Sequence, residues 1–396
     1  MKTKIRLSQL LVISCFFGFL LAGLILGILH PDRTASTVEN RSLAQRPAMR
    51  HLLTDFSGFT SDFDSYAADQ FPGRERLIQL YTRLELIQNK KFIRKTFCLQ
   101  DGWLLLKPTL TPPADLSALQ QALAQAGALD RPLVWCVLPL KNEALYDLEP
   151  AYFSDETGKT NKQALTAALA QVEGLTVIDA EAPLVTGTLA DREQYFYKTD
   201  FHWNARGAFA AAQEIARQLA GAGTIAETSV PQAEDFLWSE LGGERRYQGD
   251  LNVWFSNQFS MQEDIPRYVP KNAADLRYFL HPGDIESVPR ETIVGSGLDK
   301  DPVTYNDVFT YNLGYYRVEN PDAPEAASVL ILKDSFQNAT IDYLSAIFRS
   351  VTVVDPRSYQ ETPDLASLLD TDGIDLVLFF YHQNNVSREL IDFLSA

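Results

Sequence analysis

Cysteine and histidine are both scarce in this chain. The three cysteines, Cys15, Cys98 and Cys136, lack CxxC spacing, which disfavours a disulfide framework, a redox dithiol and a thiolate zinc site. Only five histidines are available for a catalytic imidazole: His30, His51, His202, His281 and His382. No cluster of His, Cys and carboxylate residues has metal-ligand spacing, so neither a metal nor a cofactor is expected. Positive charge is also in deficit. There are 35 Lys and Arg residues against 51 Asp and Glu, a net charge of −16, and no basic stripe offsets it. That balance argues against a nucleic-acid backbone as the main partner. What remains is ordinary globular material, 46% hydrophobic and 22% charged, in a chain of 396 residues that can bury a sizeable core.

The amino terminus is the exception to that ordinary composition. Lys2, Lys4 and Arg6 precede Leu10 to Leu29, twenty residues in which Ser14 is the only strongly polar side chain. As a helix this run spans a bilayer core. It is long for the apolar part of a signal peptide, and Thr34-Ala35-Ser36 makes a poor cleavage site, so an uncleaved anchor is expected. Basic residues before the helix place a short tail inside the cell and the remainder outside the cytoplasm. Removing those three positive charges takes the remainder from −16 to −19. Gly23 and Gly27 form a GxxxG that would let two such helices approach closely, although glycine is common in membrane helices for other reasons.

Residues 30 to 56 are polar and broken by Pro31 and Pro47, and read as a stalk. Phe56, Phe59, Phe63 and Tyr66, then Leu77, Leu80, Leu84 and Ile87 after Pro72-Gly73, recur at helical spacing. They predict a helical hairpin packing its apolar faces on the main domain. From Asp101-Gly102-Trp103 onward, short apolar runs alternate with helical stretches. Leu133 to Leu138, Leu175 to Ile178, Val329 to Leu332, Val351 to Val354 and Leu376 to Phe380 read as buried strands. Strands separated by helices predict an α/β domain with a parallel sheet covered on both faces. The expected division is 1–6 cytoplasmic tail, 7–29 anchor, 30–100 stalk and hairpin, 101–220 and 328–396 the two parts of the α/β domain, and 221–327 an irregular, aromatic-rich insertion.

Two stretches could carry chemistry. In Lys198-Thr199-Asp200-Phe201-His202-Trp203, an Asp stands two residues before a His, in the turn that leads to a helix with Asn204 as N-cap. Carboxyl ends of strands collect ligands and catalytic groups in open α/β sheets. Asp200 could hold one imidazole nitrogen and leave the other as a base; a surface Asp beside a structural His is the plainer alternative. In Val329 to Phe336, an apolar strand ends in Asp334-Ser335 before a helical segment. Ser335 could present a nucleophilic hydroxyl there, or either residue could merely cap the helix. Together the sites supply nucleophile, base and orienting group, each from a strand-end turn, and their separation of 133 residues is no obstacle.

At these residues the chain resembles the DHHW family of extracytoplasmic proteins, itself similar to the alginate O-acetylation enzymes and so to SGNH hydrolase-like acyltransferases. Asp200-Phe201-His202-Trp203 matches the Asp-His-His-Trp signature in three of four positions, and Lys333-Asp334-Ser335-Phe336 looks like the Asp-Ser nucleophile turn. Glu39-Asn40-Arg41, Asp69 to Arg74, Asp101-Gly102-Trp103 and Val354-Asp355-Pro356-Arg357 fit as well. The resemblance implies an SGNH-like, flavodoxin-like sheet. It implies Ser335 as nucleophile, His202 as base and Asp200 as its orienter, in an O-acetyltransferase acting on a cell-envelope or secreted polysaccharide. A membrane-bound O-acyltransferase would be the donor partner. Phe201 in place of the first signature histidine, and Lys333 where SGNH enzymes often have Gly, are departures from the pattern.

Other groups are weaker candidates. Asn338, Asn384 and Asn385 could donate to an oxyanion or substrate, although Asn is equally at home in turns. His382 follows a strand and could line the same edge, but Asp375 is too far along that strand to pair with it. His281-Pro282-Gly283 reads as a turn. Aromatic residues of the insertion, Tyr247, Trp254, Phe255, Phe259, Tyr305, Tyr311, Tyr315 and Tyr316, could stack on sugar rings, or simply pack a small core. A carbohydrate esterase with the same triad and a non-catalytic glycan-binding scaffold are the competing functional readings.

Overall fold

The computed structural model describes residues 7–36, 41–149, 156–241, 246–295, 297–361 and 364–396. It divides into two compact units, one of residues 1–90 with 253–258, the other of residues 91–252 and 259–396. Glu39 and Asn40 of the stalk motif lie outside the described residues.

The amino-terminal unit contains three long helices: α1 (Leu7–Leu29), α2 (Phe56–Asp69) and α3 (Arg74–Ile87). Within α1, Gln9–Gly27 is one helical run long and apolar enough to cross a membrane. Gly73, at φ +77°, makes the left-handed N-cap that turns the chain from α2 into α3, a conformation glycine adopts without the clash a Cβ would bring. The motif residues on either side build a clasp. Arg41 donates two hydrogen bonds to Asp69, at 2.8 and 2.5 Å, and the Ala44 N–H gives a third at 2.8 Å. The Arg41 hydrogen bonds and charge hold the Asp69 carboxyl down at about 2. Tyr66 donates to Asp32, and Arg33 to the Gln70 side chain, so the stalk is stitched to the end of α2. The apolar stripe of α3 differs from the expectation. Leu77, Leu80, Leu84 and Ile87 are exposed, and the buried residues of that helix are Thr82 and Glu85.

The second unit is a sheet of seven strands with helices on both faces. Its described elements include α4 (Pro113–Gly127), β1 (Leu133–Leu138), α5 (Thr157–Leu169), β2 (Leu175–Asp179), α6 (Ala205–Gly221), β3 (Arg277–Phe279), β4 (Tyr315–Glu319), β5 (Glu325–Lys333), β6 (Phe348–Val354), α7 (Leu365–Thr371), β7 (Leu376–His382) and α8 (Arg388–Leu394). The spatial order is β3-β4-β6-β5-β7-β1-β2. From β6 to β2 every pairing is parallel; β4 and β3 extend the edge antiparallel. Both edge strands come from the 221–327 segment, which therefore contributes to the main sheet as well as carrying a separate hairpin, Phe236–Leu241 with Ile265–Pro270.

Strand side chains alternate between two cores, as the two-residue repeat of a strand requires. Val134, Cys136, Leu138, Val329, Ile331, Leu378 and Phe380 face α6 and the insertion. Leu133, Trp135, Val137, Leu330, Leu332, Val377 and Phe379 face α4, α5, α7 and α8. Burial on both faces explains why these strands read as unbroken apolar runs. Helix α6 buries Phe209, Ala212, Ala216 and Leu219 along one stripe, as its period predicts.

Counted from β5, the parallel strands lie in the order 2-1-3-4-5, the flavodoxin-like arrangement with its chain start moved. Neighbouring strands leave β5 in opposite chain directions, so the topological switch falls between β5 and β7. A crevice opens outside the carboxyl ends of strands at such a point. Ser335 follows β5 by two residues, and His382 ends β7.

Candidate active site

The first half of the site is the loop before α6. An isolated bridge between Phe196 and Trp203 closes it, and the Asn204 side chain caps α6 by accepting from the N–H groups of Arg206 and Gly207. Inside this closed loop Asp200 and His202 face one another. Asp200 Oδ1 lies 2.7 Å from His202 Nδ1 and also accepts the His202 N–H at 3.0 Å. A carboxylate beside Nδ1 places the ring proton there, so Nε2 keeps its lone pair. That nitrogen is 2.8 Å from Ser335 Oγ, where it accepts the hydroxyl hydrogen.

Ser335 owes its position to the end of β5. The Asp334 N–H continues the sheet ladder to the Phe380 carbonyl, and its carboxylate accepts the Phe336 N–H as cap of a short 3-10 helix, Ser335–Ala339. The signature tryptophan joins the two halves directly, because Trp203 Nε1 donates to the Phe336 carbonyl at 3.0 Å. Phe201, in place of a histidine, packs its ring 3.9 Å from the His202 ring, and Tyr305 stacks on His202 at 4.0 Å.

Asp200 is wholly buried, so its charge must be met by hydrogen bonds. Tyr247 donates to Oδ2 at 2.9 Å and the Asp250 N–H at 3.1 Å. Burial alone would raise its pKa, but the neighbouring His202, through its ring and its N–H, and the Asp250 N–H outweigh burial and hold the carboxyl below its ordinary range. Asp250 is pushed the other way, up to about 6, by burial and then by the neighbouring Asp200 charge. Asp200, His202 and Asp250 bring ligand-type atoms within 4.8 Å of one another. Asp200 and His202 have already committed theirs to each other, to Tyr247 and to Ser335.

The loop backbone is held from below by a buried lysine. Lys141 Nζ donates to the carbonyls of Leu104, Lys198 and Asp200, at 2.8, 2.9 and 2.7 Å. Three acceptors match the three hydrogens of an ammonium, although burial lowers its pKa to about 7. The buried Glu263 accepts from the Thr199 N–H at 3.1 Å and from its hydroxyl.

Beneath Ser335 lies a second polar cluster. Lys333 is fully buried, donates to Asn338 Oδ1 at 2.6 Å and lies 3.4 Å from Asp355, which is itself bound by Arg357. A lysine before Asp-Ser is therefore accommodated by its own counter-ion, and the turn still sets Ser335 against His202.

Of the residues singled out in sequence, Ser335, His202 and Asp200 come together. Asn385 reaches the same turn, donating to Asp334 at 3.2 Å. Asn338 is buried below it, tied to Lys333 and Asn312. Asn384 accepts from Asn161 instead. Tyr315 does not join the site: its hydroxyl donates to Asp372 at 2.8 Å in the opposite core, because its place on β4 points it to that face. Tyr247 and Tyr305 serve Asp200 and His202 rather than an open surface. The partner of His382 is Asp334, not a residue of its own strand: Nδ1 and Oδ2 are 2.9 Å apart.

Fold and site together define an SGNH-like α/β domain with an Asp-His-Ser constellation at its switch point. Residues 100–275 match the family model described as the SGNH hydrolase-like domain of acetyltransferase AlgX. The matched stretch includes Asp200, His202, Tyr247 and Asp250 and ends before Ser335. Among solved structures the chain is similar to Bacillus cereus PatB1 with a sulfonyl adduct, at 22% identity over 74% of this chain and 97% of that one, with a TM-score of 0.65. It is also similar to a DHHW family protein from Eubacterium siraeum, at 17% identity over 74% and 92%, with a TM-score of 0.55. No curated protein matches it in sequence.

Proposed function

We propose that the chain is a membrane-anchored, outward-facing serine O-acetyltransferase that modifies hydroxyl groups of a cell-envelope or secreted polysaccharide. The observation that carries this reading is the unbroken hydrogen-bond chain from Asp200 through His202 to Ser335, at 2.7 and 2.8 Å. Ser335 Oγ attacks the donor acyl carbon as its proton passes to His202 Nε2, which then returns it to the leaving group. Asp200 keeps the imidazole in the required tautomer and stabilises the imidazolium. The Ser335 N–H heads a 3-10 turn, where helical amides lack an intrahelical acceptor, and serves the oxyanion. A sugar hydroxyl then attacks the acyl-serine, giving its proton to His202, and the bond to Oγ breaks as Oγ takes that proton back.

The apolar run Gln9–Gly27 supports the anchor, and the basic residues before it support the outward orientation. An outward-facing enzyme has no cytoplasmic acyl donor, so a membrane-bound O-acyltransferase is the donor partner in this reading. The test is labelling of the full chain in detergent with p-nitrophenyl acetate or a sulfonyl fluoride, followed by peptide mapping. Modification of Ser335, lost in Ser335→Ala, supports the acyl-serine step; attachment at another residue refutes it. Acetyl transfer to a sugar in excess over free acetate separates a transferase from an esterase.

A further inference from the structure

A second Asp–His pair is built into the turn that carries the nucleophile, through Asp334 on one side of Ser335 and Phe336 on the other. His382 closes β7, the strand beside β5, and in that pairing Lys333 is level with Phe380, so His382 stands at the sheet edge next to the turn that carries Ser335. Asp334, directly before Ser335, is buried and accepts from the Phe336 N–H, the His382 N–H, His382 Nδ1 and Asn385 Nδ2. His382 thus has its tautomer set just as His202 does, with Nδ1 bound and the lone pair on Nε2. Its ring lies flat on Phe336, with centroids 5.0 Å apart and planes at 21°, so the orientation is locked. The opposite nitrogen differs. His202 is buried and its Nε2 meets Ser335, whereas the His382 side chain is 19% exposed and its Nε2 has no partner among the described residues.

An oriented, rigid, partly exposed acceptor beside the turn that carries a nucleophile is suited to binding a hydroxyl. We infer that His382 is an acceptor-binding residue: its neutral Nε2 accepts a hydrogen bond from a hydroxyl adjacent to the one that attacks the acyl-serine, which selects polyhydroxylated acceptors such as sugars over simple alcohols. This rests on the acyl-serine reading above. His382 exchanges no proton in the step, because the attacking hydroxyl gives its proton to His202 and that proton returns to Ser335 Oγ.

His382→Asn provides the test. The Asn amide can occupy the place of Nδ1 and keep the hydrogen bond to Asp334, while the Nε2 acceptor is lost. The full chain in detergent is acylated with p-nitrophenyl acetate, and transfer is compared between methanol and methyl β-D-glucopyranoside. For the wild type a preference for the glucoside per mole is expected. In His382→Asn, the acylation burst and methanol transfer should stay within about twofold, and the glucoside preference should fall at least tenfold, the size of one lost hydrogen bond to a rigid site. An unchanged preference in the variant, or none in the wild type, overturns the inference. So does a burst that falls in step with transfer, which would place His382 in service of the serine. If the wild type forms no ester at Ser335, the acyl-serine reading itself fails; a normal ester with an unaltered preference removes the acceptor role alone.

Discussion

Two Asp–His pairs meet at the turn that carries one serine; in each a carboxylate binds Nδ1 of the imidazole, but the surroundings of the carboxylate and of the second ring nitrogen differ. In Asp200–His202 the ring is enclosed by Phe201 and Tyr305, and its carboxylate takes further hydrogen bonds from Tyr247 and the Asp250 backbone. In Asp334–His382 the carboxylate doubles as a helix cap, and the ring keeps an open edge. Burial and partner geometry, not residue identity, separate the two: in the proposed mechanism the first pair moves a proton at Ser335, and the second holds the turn and presents an acceptor.

Substitutions sharpen that division in order of effect. Ser335→Ala and His202→Ala should each reduce acyl-enzyme formation by at least about 10³-fold, measured as burst kinetics, with folding retained by circular dichroism. Asp200→Asn should cost roughly 10²–10⁴-fold in rate, since an amide can leave the wrong tautomer facing Ser335. Asp334→Asn should act mainly on stability, by about 2–3 kcal/mol in denaturant unfolding, because a charged acceptor of four donors and a helix cap are weakened together. Should Asp334→Asn instead match Asp200→Asn in rate loss with full stability, the two pairs would not be distinct. Tyr247→Phe removes one hydrogen bond to the buried Asp200 carboxylate and should lower the rate about tenfold.

The last expected effect leaves the rate aside and is a pH dependence of stability at Asp250. Its carboxyl is raised to about 6 in the folded protein, from an ordinary value near 4, by burial and then by Asp200. Between those values the folded state binds more protons than the unfolded one, so this group's contribution to stability falls as pH rises through the window. Asp250→Asn should therefore match the wild type near pH 4 and gain stability toward pH 6, levelling above it at on the order of 2 kcal/mol. Urea unfolding at pH 4, 5, 6 and 7 measures the difference. A constant offset across the series would show that the Asp250 carboxyl is not raised in the folded protein.

Much of the site was legible in sequence because strand ends, caps and loop motifs are local signals. Asn204 as N-cap, the apolar run before Asp334-Ser335 and the spacing of Asp200 and His202 all follow from residues within a few positions of one another. Asp250 and Lys141 carry no mark of the site in sequence, and Tyr247 reads there only as an aromatic for sugar stacking or packing, because all three support the site through contacts made only by long-range folding. The choice for Tyr315 between sugar stacking and core packing is open in sequence for a related reason: strand alternation decides the face, and only the pairing of β4 with β6 fixes it. The helical stripes show the limit from the other side. Leu77, Leu80, Leu84 and Ile87 of α3 repeat at helical spacing, as do Phe209, Ala212, Ala216 and Leu219 of α6, yet only the second set is buried. Periodicity identifies a helix; it does not identify what covers it.

Sequence by itself determined the class of molecule: an apolar amino-terminal helix, an α/β sheet buried on both faces, and a serine, a histidine and an aspartate, each in a turn beside the sheet. These depend on composition, period and local capping, which act over a few residues. Tertiary structure alone decided that Asp334 binds His382, that Tyr247 and the Asp250 backbone hold Asp200, and that one imidazole is sealed against Ser335 while the other stays open. Hydrogen bonds and burial act over a few ångströms, and only the folded sheet brings residues far apart in the chain to that distance.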